Sequence, residues 1–285
     1  MIDIILFLVT MVALIFATVF DVKTKEIPNW LTYSFITLAL TANLIYSVII
    51  SDYSFILRSI LGFLLFFIIG NIMYFSQQWG GGDAKLAMGL GAAFYTYPNF
   101  LLNLFDPNLT IPFIITIFIN ILIVGAVYSI SWSAYLIIKN YKKFRTSLKN
   151  KLKETKYIQA PVFVFAVILL ALSFIMEFKL IGIISSLLLI SLMYLLIAVK
   201  TIDKICMYKT VAISKLTEGD WIPKSVYHKG KIIIKSKAEG ITKEDMALLK
   251  KLKIKKILIR EGIPFVPSIL LGVIISLIFG FIIPI

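Results

Sequence analysis

Eight apolar runs, at about 2–21, 31–50, 54–76, 85–104, 111–138, 158–176, 180–198 and 265–284, dominate this chain of 285 residues. A helix rises about 1.5 Å per residue, so a run of some twenty residues crosses a hydrocarbon layer roughly 30 Å thick. Backbone groups in lipid must be paired within their own segment, which makes helices of these runs rather than loops or open strands. Composition agrees, with 60% apolar and 15% charged residues, where a soluble domain carries about 25% charged. A soluble globular enzyme is thereby excluded. The expected fold is an all-α polytopic membrane protein of about eight transmembrane helices, with six as the alternative count.

The first run has no basic stretch before it, lacks a small-residue cleavage site and ends in Asp21, so it reads as a mature helix rather than a signal peptide. The net charge of +14 could suggest a nucleic-acid partner. The distribution of the basic residues points to the membrane instead, with 27 of the 29 in segments that follow helices 1, 3, 5 and 7 and only Arg58 and Lys179 on the other side. Loops rich in Lys and Arg stay in the cytoplasm, which places the N-terminus outside and those segments inside. Membrane lipids, and no nucleic acid, are the expected partners.

The chain divides on this reading into a membrane core over 1–138, a basic cytoplasmic loop over 139–157, helices 6 and 7 over 158–199, a small cytoplasmic α+β domain over 200–262 and a final helix over 263–285. Within 200–262, Glu218-Gly219-Asp220 and Lys229-Gly230-Lys231 read as turns, and Ile232 to Ile234 reads as a short strand. Thr242 followed by Asp245 resembles a capping box that opens a helix through Leu252, and Lys256 to Arg260 reads as a second strand. A core of this size is small, so the unit is expected to lean on the membrane domain or on lipid headgroups.

One cysteine, Cys206, and one histidine, His228, provide for no disulfide framework, zinc cluster or HExxH site. No metal and no cofactor are expected, and chemistry falls to Asp, Glu, Lys, Ser, Tyr or backbone. Asp21 closes helix 1 at its C-terminal end, where the helix dipole disfavours a carboxylate. It reads either as an interfacial residue reaching water or as a functional acid. Asp83 follows Gly80, Gly81 and Gly82 and opens helix 4, where it reads as a cap on orphan amides or as an acid beside a glycine loop that a substrate backbone can approach. Gly89, Gly91, Ala92 and Ala93 give helix 4 a small-residue face for close packing. Two further crossings bring Asp83 back to the leaflet of Asp21. Two neighbouring carboxylates cannot both ionise freely, so such a pair supplies a general acid beside a general base.

The segments Asp21-Val22-Lys23-Thr24-Lys25-Glu26-Ile27-Pro28-Asn29 and Gly80-Gly81-Gly82-Asp83-Ala84-Lys85-Leu86 resemble the two motifs of the type IV prepilin peptidase family, which includes the archaeal preflagellin peptidases and is grouped with the GxGD membrane aspartyl proteases. The resemblance runs through helices 1 to 4 and weakly through Glu261 to Pro267. It implies an endopeptidase that removes a short, basic signal peptide from prepilins or preflagellins at the cytoplasmic membrane face, with Asp21 and Asp83 as the catalytic dyad. Lys23, Pro28, Asn29, Gly80, Gly81, Gly82 and Lys85 would support and position it. Pro28 and Asn29 read equally as the N′ residue and cap of helix 2, and Lys23 and Lys85 as ordinary positive-inside residues. The junction between helices 1 and 2 lacks the cysteine-rich loop of the bacterial enzymes, so methyl transfer to the new N-terminus is not expected. The competing readings are an ion-coupled transporter, in which the two acids relay protons or bind a cation, and a non-catalytic scaffold of a pilus or archaellum machine.

Overall fold

A computed structural model describes residues 2–228, 231–235, 240–252, 254–260 and 262–283, except for the side chains of 204 and 206. In chain order its elements are α1 (Ile2–Thr24), α2 (Asn29–Ile49), α3 (Ser54–Phe75), α4 (Gly81–Ala93), α5 (Phe113–Lys139), α6 (Tyr141–Glu154), α7 (Lys156–Ile175) and α8 (Lys179–Ile202). There follow β1 (Tyr208–Ala212), β2 (Val226–His228), β3 (Lys231–Ile234), α9 (Lys243–Lys251), β4 (Lys256–Arg260) and α10 (Val266–Phe279). The protein is a mostly helical, polytopic membrane protein. Among the described residues six helices, α1, α2, α3, α5, α7 and α8, are long and apolar enough to cross a membrane.

Each of the eight apolar runs carries a helix, but two are shorter than read from the sequence. α4 has 13 residues and α10 has 14, about 20 Å of rise each, short of the roughly 30 Å required. α4 stops at Ala93, where Phe94 leaves the helical region at φ −123° and ψ 53°, and Pro98 follows before the next short helical turn. α10 stops at Gly280, whose φ of 69° and ψ of −136° form a combination that only glycine reaches without strain. Its last carbonyls are then taken up from outside the helix. The Asn108 N–H donates to the Phe279 carbonyl at 2.9 Å, Asn120 Nδ2 to the Gly280 carbonyl at 2.7 Å, and the Tyr97 hydroxyl to the Leu277 carbonyl at 2.6 Å.

Two compact units can be distinguished, one of residues 1–130, 217–246 and 262–285 and one of 131–216 and 247–261. The first holds α4 at its centre, packed on α3 and α2. Small residues make this approach close: Gly62 of α3 meets Gly91 of α4 backbone to backbone, and Gly89 leaves room for the Phe35 ring. Asn43 and Ser59 both donate to the Ala92 carbonyl, at 3.4 and 2.6 Å, so α2, α3 and α4 share one polar tie in an otherwise apolar core of Leu14, Ala17, Phe35, Phe66, Leu86 and Leu90. The same unit contains the antiparallel β2–β3 ribbon, with His228 opposite Lys231. Thr242 and Asp245 cap the start of α9 reciprocally at 3.1 and 3.2 Å.

In the second unit α7 and α8 form a helical hairpin, tied by a hydrogen bond from Ser186 Oγ to the Ala166 carbonyl at 3.0 Å. The basic run after α5 is itself helical, as α6, which has no buried residue. β1, which the sequence reading did not separate, pairs antiparallel with β4 from Tyr208↔Arg260 to Ala212↔Lys256. Arg260 also bonds Asp203 at 2.9 Å. The two ribbons of the 200–262 region are thus separate two-stranded sheets. The expected turn at Lys229-Gly230 lies outside the described residues.

Candidate active site

Asp21 sits in the last turn of α1, which continues to Thr24, and the residue is only 6% exposed. Its Oδ2 accepts a hydrogen bond from the Val266 N–H at 2.8 Å. Val266 is the first residue of α10, where the N–H has no helical acceptor of its own. Next to it Pro267 contributes no N–H at all, so α10 starts with few donors to satisfy. A buried carboxylate from α1 therefore caps α10, and the partly positive helix N-terminus faces a negative group.

Asp83 lies in the first turn of α4 and is half-buried. Its Oδ2 accepts from the Gly80 N–H at 2.9 Å. The contact is half of a capping box, because Gly80 has no side chain to return it. The capping role expected for Asp83 is thus exercised backward, onto the residue at the N-cap. Asp83 lies outside the six candidate spans. Desolvation by the surrounding fold pushes its carboxyl up to about 7, the charge of Asp21 adds to the rise, and the Gly80 N–H opposes it. The two acids, 62 positions apart in sequence, share one electrostatic neighbourhood.

The two motifs also meet through other residues. A Cβ at Gly82 would come within 2.8 Å of the Ile27 Cβ, so the glycine lets the start of α4 lie on the turn between α1 and α2. Lys85 donates to Asn29 Oδ1 at 2.8 Å and sits 5.1 Å from the centre of the Tyr33 ring. Asn29 is the first helical residue of α2 and Pro28 its N-cap residue, with no side-chain cap. The reading of Pro28 as N′ and Asn29 as cap is corrected by one position each, because the Asn29 amide oxygen serves Lys85 instead. Lys25 adopts a left-handed φ of 59° to end α1, and its ammonium reaches the Gly262 carbonyl at 3.5 Å. Lys23 is exposed in the last turn of α1. A Cβ at Gly81 would make only ordinary contact with the Tyr74 ring, at 3.6 Å, so space does not demand a glycine there.

Three contributors were not among the sequence candidates: Val266, Phe265 and Trp79. Phe265 precedes the residue that holds Asp21, Trp79 precedes the residue that holds Asp83, and the two rings pack with centroids 5.9 Å apart. The available signal was the Glu261 to Pro267 segment, where a proline just inside an apolar helix marks its first turn. Among the described residues no three His, Cys, Asp or Glu side chains cluster as a metal site would require.

Sequence comparison finds relatives for part of this chain. Residues 8–130 match the type IV leader peptidase family. The preflagellin peptidase of Methanocaldococcus jannaschii is 36% identical over 91 residues, which is 32% of this chain and 38% of that protein. Those of Methanococcus maripaludis and Methanococcus voltae are 34% identical over 121 residues and 30% over 134, covering 40% and 46% of this chain. The matches span 51% and 55% of those two proteins, so this chain aligns with about half or less of each relative. No solved structure matches the chain. Residues 8–130, the part of the chain that matches the type IV leader peptidase family, contain both aspartates and both motifs.

Proposed function

We propose that this chain is an aspartic-type membrane endopeptidase that removes short, basic leader peptides from prepilins or preflagellins, with Asp21 and Asp83 as its catalytic dyad. The observation that carries the reading is that Asp21 and Asp83, each held by a backbone N–H, stand in the two motifs that the Lys85–Asn29 hydrogen bond joins at 2.8 Å. The family match over residues 8–130 and the name of the relatives, preflagellin peptidase, support the reaction and the substrate class. In the reaction the pair holds one proton between its two carboxyls. The ionised carboxylate takes a proton from water as the water oxygen bonds to the scissile carbonyl carbon, and the protonated carboxyl donates to the carbonyl oxygen. Collapse of that adduct breaks the C–N bond and returns a proton to the leaving amine. Water is the only co-reactant.

The substrate's apolar segment lies in the bilayer as one more helix, with its leader beside the glycine loop that carries Asp83. The distribution of Lys and Arg supports a cytoplasmic site in a multi-pass cell-membrane protein, with anionic lipids beside the basic segments. Co-expression in membranes with a preflagellin and, separately, a prepilin tests the reading. Loss of the leader, located by sequencing the new N-terminus, is expected for at least one of them with the unmodified chain and for neither with Asp21→Ala or Asp83→Ala. No processing of any leader would move the reading to a transporter or a scaffold.

A further inference from the structure

The two aspartates are not held independently. Asp21 accepts from Val266, the residue after Phe265, and Asp83 accepts from Gly80, the residue after Trp79. The Phe265 and Trp79 rings lie 5.9 Å apart and 37° from parallel. Contacts therefore run without a break from Asp21 through Val266, Phe265, Trp79 and Gly80 to Asp83. Both rings are fixed from behind. The Trp79 ring is buried, the residue being 2% exposed, and its backbone N–H donates to the Met73 carbonyl at 3.2 Å, which ties the glycine loop to the end of α3. On the far side Phe265 lies against Gly125 of α5, where a Cβ would come within 2.9 Å of the ring.

Resting on the reading of Asp21 and Asp83 as a dyad, we propose that Trp79 and Phe265 are positioning residues whose ring contact sets the separation of the two carboxylates. Neither ring touches the reacting atoms. Each instead fixes the backbone N–H that orients one acid, and the contact between the rings fixes the two N–H groups relative to each other. The arrangement matters because a displacement of about 1 Å at a reacting group costs on the order of a hundredfold in rate. Shrinking either ring frees both acids at once, so the effects of the two substitutions are coupled.

The test uses the full chain in membranes or detergent, with Trp79→Leu, Phe265→Leu, the double variant, Trp79→Phe and Gly125→Ala. Each leucine variant is expected to lower kcat by about ten- to a hundredfold with KM within roughly threefold. The double variant is expected to be no worse than the worse single, and Trp79→Phe to recover most of the rate. Gly125→Ala keeps both rings but displaces Phe265, and is expected to lower kcat as well. A second readout does not depend on turnover: the pH at which a carbodiimide half-labels Asp83, read by peptide mass spectrometry, should fall in the leucine variants as Asp21 moves away. Leucine variants that fold and keep the unmodified kcat and labelling pH would overturn the proposal, as would losses of kcat that merely track the folded fraction with the labelling pH unmoved. Failure of the dyad itself is separately visible, because the Asp21→Ala and Asp83→Ala variants would then still cleave while the labelling comparison continues to report on spacing.

Discussion

Lys85 donates its ammonium to Asn29 Oδ1 at 2.8 Å, tying the start of α4 to the start of α2 across 56 residues. The bond joins one residue of each motif, so it holds the turn after Asp21 against the turn that carries Asp83. Lys85→Met should reduce kcat/KM by roughly three- to tenfold and lower stability by no more than about 1 kcal/mol, since the pair is partly open to solvent. Combined with Asn29→Ala, it should do little further harm, because both changes remove the same bond. Steady-state kinetics with a leader peptide and thermal unfolding of the single and double variants measure both effects.

Gly82→Ala should cost about 1–3 kcal/mol, because its Cβ would be driven against Ile27 in a turn with no slack. The contact at 2.8 Å is to the Ile27 Cβ, which cannot swing aside as a side-chain terminus would. Ile27→Ala leaves the Cβ in place but removes the Cγ1 and Cδ1 contacts at 3.1 and 3.0 Å, and should restore part of the loss. Rescue is measured as the recovery of unfolding temperature and of cleavage rate in the double variant.

The raised carboxyl of Asp83 gives both stability and activity a pH dependence of definite sign. Between its ordinary value of 3.8 and about 7 the folded protein retains a proton that the unfolded chain has released. This group therefore makes stability fall as pH rises through that window and then level off above it. Asp83→Asn should flatten this part of the profile, as measured by unfolding from pH 4 to 8. Activity should fall along an alkaline limb near pH 7, because a pair that has lost its shared proton has no acid to donate.

Much of this arrangement was legible in the sequence, and what was not has a common cause. Apolar runs locate helices because lipid and core both demand internally paired backbone, and each of the eight runs does carry one. Thr242 and Asp245 cap α9 as their spacing indicates, since both partners lie within one turn. The glycine loop and the two aspartates stood out for the same reason: their chemistry is local. The early end of α10 did not, because it depends on Asn108, Asn120 and Tyr97 reaching carbonyls far along the chain. Val266 was invisible as a partner of Asp21 because a backbone N–H has no sequence signature and 245 residues separate the two. β1 lacked a mark for similar reasons, since its partner β4 is not its neighbour in sequence.

Asn120 offers a test of that long-range pairing. Its amide nitrogen, fully buried, donates at 2.9 Å to Ser276 Oγ and at 2.7 Å to the Gly280 carbonyl. Asn120→Leu leaves the Gly280 carbonyl without this donor and should cost about 1–3 kcal/mol. Hydrogen exchange should show the end of α10 opening before its beginning.

The dyad itself is tested most directly by the initial rate of leader release from a purified preflagellin or prepilin, compared among the unmodified chain, Asp21→Asn and Asp83→Asn, each first shown to be folded. These nearly isosteric changes remove the shared proton chemistry while preserving packing. The account predicts a loss of at least about a thousandfold for each variant, with the double variant no worse than either single, as for residues that act as one unit. Cleavage by either single variant within tenfold of the unmodified rate would contradict it.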